Sequence, residues 1–224
     1  MNRNSIRTEK LHGRKKSRTS SQKNQQIYKE IFPKYKLDIN SINFNQYNDI
    51  ELEVGFGYGE HLIWQALNHP NKLFLGAEPF RSGVINTIRE IERHKLNNIR
   101  IHDDNVIDII ENLPNEILSS IFILFPDPWP KKRHHKRRFI SQNNLKKIHH
   151  VLKNRGRLVL ATDHKDYLHS ILLNVNINDQ FEWLCENTDH FYSKPYEFPK
   201  TKYERKAIKN GRRPVYLTFE KINL

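Results

Sequence analysis

The chain has 224 residues, with 38 Lys and Arg against 25 Asp and Glu, a formal net charge of +13 and a pI near 9.7. That length suits one domain with a full core, and the charge points to a polyanionic partner. A single cysteine, Cys185, excludes a disulfide framework and a cysteine-built zinc site.

No apolar run approaches the ~20 residues a membrane span needs, and the first residues lack the apolar core of a signal peptide. A soluble, cytoplasmic protein is expected, either monomer or homodimer. Residues 1–26 are rich in Lys, Arg, Ser, Thr and Asn and almost devoid of apolar side chains. Such a segment cannot bury enough surface to offset its ordering entropy, so it is read as a flexible basic arm ahead of a domain over 27–224. A weak helix is expected near 27–35. Strand patterns follow at 49–54, 72–77, 99–102, 120–125 and 157–161. Helix patterns fall between or after them, at 60–68, 81–95, 106–113, 142–153 and 165–174. This interleaving predicts an α/β fold with a mostly parallel, Rossmann-like sheet, helices on both faces and right-handed crossovers. Two last runs, 181–185 and 214–220, predict an antiparallel hairpin at the sheet edge and bring the strand count to seven.

The first strand closes on Glu53-Val54-Gly55-Phe56-Gly57-Tyr58-Gly59. Glycines this dense demand a tight turn or close backbone approach to a ligand. The spacing is G-x-G-x-G, not the dinucleotide fingerprint, and the Lys-Ser/Thr of a phosphate loop is absent. Glu53 would repel a diphosphate and suits a cationic group instead. The second strand ends at Glu78, ~20 residues past the loop, where an acid can hydrogen-bond a ribose diol. The third ends at Asp104-Asn105, an acid–amide pair able to read an adenine edge, or else a helix N-cap. The fourth, a short apolar run read as a buried strand, stops at Pro126-Asp127-Pro128-Trp129-Pro130. A ligand with a ribose, an adenine and a positive charge fits Gly55, Gly57, Gly59, Glu53, Glu78, Asp104, Asn105 and Asp127 together. S-adenosylmethionine is that ligand.

Directly after the proline turn runs Lys131-Lys132-Arg133-His134-His135-Lys136-Arg137-Arg138. Phosphate contacts dominate nucleic-acid affinity without specifying sequence, so Arg133, His134, His135, Lys136, Arg137 and Arg138 are read as an RNA grip. No carboxylate or cysteine shares the run, so the histidines are not read as metal ligands and no metal is expected.

On these residues the chain resembles the bacterial single-chain tRNA (guanine-N7-)-methyltransferases. The resemblance spans roughly 49–221. It rests on the glycine loop, Gly76-Ala77-Glu78, Phe125-Pro126-Asp127-Pro128-Trp129, the basic run, Ala161-Thr162-Asp163 and Thr201-Lys202-Tyr203-Glu204. Pro79 and Pro130 depart from the family pattern at positions with no assigned role. The resemblance implies a class I methyltransferase fold and methyl transfer from S-adenosylmethionine to a guanine N7 in the tRNA variable loop. It also implies substrate contacts at Lys131, Asp163, Thr201, Lys202, Tyr203 and Glu204.

Guanine N7 carries a free lone pair, so no general base is needed and catalysis reduces to positioning and electrostatics. Asp127 is read as the catalytic residue, accepting from the guanine N1–H and N2–H2 donors and balancing the charge the ring acquires, with Asp163 and Glu204 as the next candidates for that acceptor. Trp129 is read as a hydrophobic plug under the turn more readily than as a stacking platform. Competing readings are weaker. A silent RNA-binding module would have lost the strand-tip acids, an exocyclic-amine methyltransferase would carry an Asn/Asp-Pro-Pro-aromatic turn, and a dehydrogenase fails on glycine spacing.

Overall fold

Seven strands pair in the order β3-β2-β1-β4-β5-β7-β6, in a computed structural model that describes residues 21–177, 179–194 and 198–223. Residues 1–20, most of the expected arm, lie outside the described residues. The helical run starts earlier than expected, as α1 (Gln22–Gln26), a π-helical turn (Ile27–Ile31) and α2 (Phe32–Tyr35). Ser21 caps it by accepting from the Asn24 amide, and Phe32 is buried against the sheet. Tyr28 donates to the Asp103 carboxylate and stacks under Arg81, so this run is fastened beside the third strand tip.

The parallel part comprises β1 (Asp49–Val54), β2 (Lys72–Ala77), β3 (Ile99–His102), β4 (Leu118–Leu124) and β5 (Leu152–Thr162). Between them come α3 (Glu60–Asn68), α4 (Arg81–His94), α5 (Val106–Ile110), a 3₁₀ turn (Lys132–Arg137) and α6 (Gln142–Val151). After β5 come α7 (Lys165–Ile177), β6 (Phe181–Trp183), α8 (Thr188–Tyr192), α9 (Lys202–Lys209) and β7 (Val215–Lys221). The last strand inserts antiparallel between β5 and β6, giving the expected edge hairpin.

Side-chain parity separates the two faces. Ile50, Leu52, Leu73, Leu75, Ile121 and Ile123 point into one core with α5, α6 and α7. Phe74, Ile99 and Ile101 point to the other, against Leu62 and Ile63 of α3 and Val84 and Ile88 of α4.

Several boundaries differ from the sequence reading, and the following have a clear local cause. Helix α5 stops at Ile110 instead of residue 113, because Pro114 disfavours helical backbone before it and Asn112 and Leu113 close the turn onto Ile109. Helix α6 ends at Val151 and β5 starts at once, five residues before the expected 157. Leu152 already pairs with Leu118, and the register shift that follows accommodates Arg155 at φ +60° and Gly156. The polar Lys153-Asn154-Arg155 hides that strand in the sequence. β4 ends at Leu124 rather than 125, because Phe125 turns to φ +55°.

Candidate active site

The three loop glycines adopt left-handed backbone, Gly55 at φ +71°, Gly57 at +58° and Gly59 at +79°. A Cβ on Gly59 would stand 2.3 Å from Thr87 Oγ1, so both torsion and space require glycine there. Gly83 was not singled out from the sequence. It sits in the first turn of α4, where a Cβ would lie 2.0 Å from the Gly57 carbonyl oxygen. The only sequence signal for it is a glycine inside a helical pattern.

The glycine loop, the β2 and β3 tips, the proline turn and α9 line an open cavity of about 1110 Å³ at the carboxyl ends of the strands. This is where open α/β sheets bind ligands. Glu78, Asp104, Asn105 and Asp127 line it, with Gly55, Lys202, Tyr203, Lys136, Arg137 and Arg138. Glu78 is buried, and its two oxygens accept from the Gly57 and Phe80 amides, each at 2.8 Å. Desolvation raises its pKa against those two hydrogen bonds, with the charges of Asp127 and Glu53 adding to the rise. Asn105 caps α5, its side-chain oxygen accepting from the Ile107 amide at 3.2 Å.

Asp127 reaches solvent through the cavity mouth, yet the surrounding protein desolvates it and raises its pKa. Among the described residues it has no hydrogen bond or ion pair. Its turn is unusual at both ends, with Phe125 at φ +55° and Trp129 at φ +45°. Bulky residues in this region cost about 1–3 kcal/mol each and persist only where surroundings enforce them. Trp129 stands edge-on to His134 at 5.9 Å and under the Arg137 guanidinium at 4.9 Å.

Other expected site residues stand apart from this cavity. Glu53 does not line it. Strand parity turns its side chain to the α3 face, where His61 Nδ1 lies 2.9 Å from Glu53 Oε2. His61 is buried among Phe122 at 5.0 Å and Phe198 at 4.3 Å. Thr201 is the N-cap of α9, accepting from the Glu204 amide, so Thr-x-x-Glu is also a capping signature. Glu204 is buried and paired with Lys194 at 2.7 Å. Asp163 is paired with Arg212 at 2.8 Å and is not the N-cap of α7; His164 Nδ1 accepts from the Tyr167 amide there instead. Lys131 is exposed at the start of the 3₁₀ turn.

The cationic run divides in two. Lys131, Lys132, Arg133 and Lys136 are exposed, and His134 and His135 are half-buried. Arg138 is a correction to the RNA grip, because it is buried at 6% exposure. Its Nε donates to the Pro128 carbonyl at 2.9 Å, its Nη2 to Asp166, and its guanidinium lies 5.0 Å over the Tyr167 ring. Among the described residues no helix is long and apolar enough to cross a membrane, and no group of three His, Cys, Asp or Glu side chains could hold a metal ion.

The family model described as "Putative methyltransferase" matches residues 47–217. Among curated proteins, the tRNA (guanine-N(7)-)-methyltransferase of Zymomonas mobilis is 33% identical over 95% of this chain and 94% of its own length. The enzymes of that name from Bartonella quintana and Rhizobium johnstonii are 37% and 35% identical, over 96% and 99% of this chain and 96% and 99% of their own lengths. Among solved structures, the 16S rRNA methyltransferase KamB superposes with a TM-score of 0.57 at 18% identity, covering 80% of this chain and 90% of that one. SMU.1697c of Streptococcus mutans, solved in complex with SAH, superposes with a TM-score of 0.53 at 16% identity, covering 85% of this chain and 94% of that one. These two share the class I methyltransferase fold. With a strand order, a glycine loop and a cavity of that kind, the chain belongs to the tRNA (guanine-N7)-methyltransferase family.

Proposed function

We propose that this protein transfers a methyl group from S-adenosylmethionine to N7 of a guanine in the variable loop of tRNA. One observation carries the reading. Asp127 is an unpartnered carboxylate on a rigid turn, facing the same cavity as Glu78 and the Asp104-Asn105 pair.

The residues present fit the methyl donor. Glu78 holds both oxygens in place with backbone amides and keeps further lone pairs for a ribose diol. The left-handed glycines bring the backbone close, and the desolvated acids favour a ligand with positive charge. When bound, S-adenosylmethionine supplies an electrophilic methyl. Asp104 and Asn105 line the cavity from the β3 tip, as an adenine contact requires. Glu53 acts from behind the loop, adding negative potential with its carboxylate fixed by His61.

Asp127 is read as accepting hydrogen bonds from the guanine N1–H and N2–H2 groups, which aims N7 along the line of transfer. Its charge then offsets the charge the ring gains, in surroundings drier than water. Asp163 and Glu204 already have Arg212 and Lys194 as partners, which supports Asp127 as the first acceptor. Lys131, Lys132, Arg133 and Lys136 supply phosphate contacts, and the basic stretch of sequence ahead of α1 adds to them. The protein acts in the cytoplasm, where tRNA is found.

Incubation with labelled S-adenosylmethionine and bulk unmodified tRNA, followed by nucleoside analysis, tests the reading. Label in N7-methylguanosine supports it; label in an exocyclic amine or a ribose 2′-oxygen sinks it.

A further inference from the structure

Helix α9 carries two cations, Lys206 and Lys209, to which the site described above gives no role. Lys202, Lys206 and Lys209 are spaced i, i+4 and i+7, which puts all three on one stripe of the helix. All three are exposed, while Glu204 and Ala207 on the opposite side are buried. Lys202 and Lys206 line the cavity mouth, and Lys209 continues the stripe about 10 Å along the axis from Lys202.

The flanking cations of this segment are committed. Arg205 pairs with Glu60, Arg212 with Asp163, and Arg213 lies 3.5 Å over the Tyr192 ring. Lys202 Nζ lies 4.1 Å over the Tyr58 ring. Lys206 and Lys209 have no acidic partner among the described residues. Like charges at these spacings destabilise a helix by about 0.2–0.5 kcal/mol per pair, a cost that counts in a helix of eight residues. An anionic ligand lying along the stripe removes that cost.

We infer that the α9 stripe is a second RNA-phosphate site, separate from the 3₁₀ turn, and that it takes the backbone of the strand bearing the target guanine. The partner is single-stranded or loop RNA and not a duplex groove, because the stripe leads to the cavity where, on the reading above, the target base is presented out of its stack. This inference rests on the tRNA reading above.

The test compares Lys206→Ala/Lys209→Ala with Lys206→Arg/Lys209→Arg and with Lys132→Ala/Arg133→Ala/Lys136→Ala. Binding of unmodified tRNA is measured over a range of salt, and S-adenosylmethionine binding is measured by calorimetry. The α9 alanine pair is expected to weaken tRNA binding several-fold and to lower the slope of log K against log salt by about one to two. The arginine pair is expected to keep the slope, and cofactor affinity in both α9 pairs to stay within a few-fold. An unchanged slope in the α9 alanine pair, or an equal loss of cofactor binding, overturns the inference. If the wild-type protein binds tRNA without salt dependence, the tRNA reading itself fails.

Discussion

Arg138 Nε donates to the carbonyl oxygen of Pro128 at 2.9 Å, so the last residue of the cationic run holds the turn on which Asp127 stands. A residue that reads from sequence as an RNA contact is a brace for the acid. Its other bonds, to Asp166 and over Tyr167, tie the turn to the start of α7. Arg138→Ala therefore takes the donor from a part-buried carbonyl and empties a buried position, and a loss of about 1–3 kcal/mol in stability is expected. Methyl transfer should fall with it while the salt slope of tRNA binding stays fixed. Arg138→Lys should not restore activity, because a point-like ammonium lacks the planar fork that reaches Pro128 and Asp166 from separate nitrogens while lying over the Tyr167 ring. Thermal unfolding, kcat and a salt titration separate this from a phosphate-contact role, for which only the slope would change.

Asp127→Ala should lower methyl transfer by about a hundredfold or more, the scale seen when one preorganised electrostatic group is removed. Cofactor affinity by calorimetry should stay within a few-fold. A variant that loses the cofactor and keeps its kcat would assign Asp127 to the donor instead of the guanine.

Gly83→Ala opposes two effects of known sign. In an ordinary helix the change stabilises by about 1 kcal/mol. Here the new Cβ meets the Gly57 carbonyl oxygen at 2.0 Å, and backbone has no flexible end with which to give way. Displacement of the glycine loop should cut cofactor affinity by about tenfold, since strain of about 1–3 kcal/mol is typical of overpacking. An alanine variant with unchanged affinity and a higher Tm would remove the close-approach role.

Glu78 and Asp127 have raised pKa values, both chiefly through desolvation. In the unfolded chain they ionise at ordinary carboxylate values, so in the folded chain they hold their protons to higher pH. The folded form binds the extra protons in that window, and stability without ligand must fall as pH rises through it. Affinity for the cationic cofactor should rise over the same window, because it needs the ionised acids. Thermal unfolding with and without S-adenosylmethionine, from about pH 4.5 to about 7, reads both signs. Glu78→Gln should flatten its share of both; parallel curves for wild type and variant would contradict the assignment.

The sheet, its helices and the edge hairpin were legible because apolar runs and glycine turns set strand ends locally. Glu78, Asp104 and Asp127 were legible as neighbours around one cavity for the same reason, since each lies just past a strand. Glu53 was not, because its place depends on parity. It lies one residue inside the strand end, and that residue turns it toward α3 and His61. Arg138 was not, because nothing in a run of like charges says which member folds under. Gly83 and the Asp163–Arg212 pair depend on approaches between distant segments that no local pattern records.

Phe125 and Trp129 hold positive φ around two prolines whose φ is fixed. Five residues with so few soft torsions have one shape to offer. Under the role proposed for Asp127, adjustment during recognition falls on the nucleic acid, whose guanosine leaves its stack to meet an immobile carboxylate. Discrimination among tRNAs becomes a question of how cheaply each one surrenders that base.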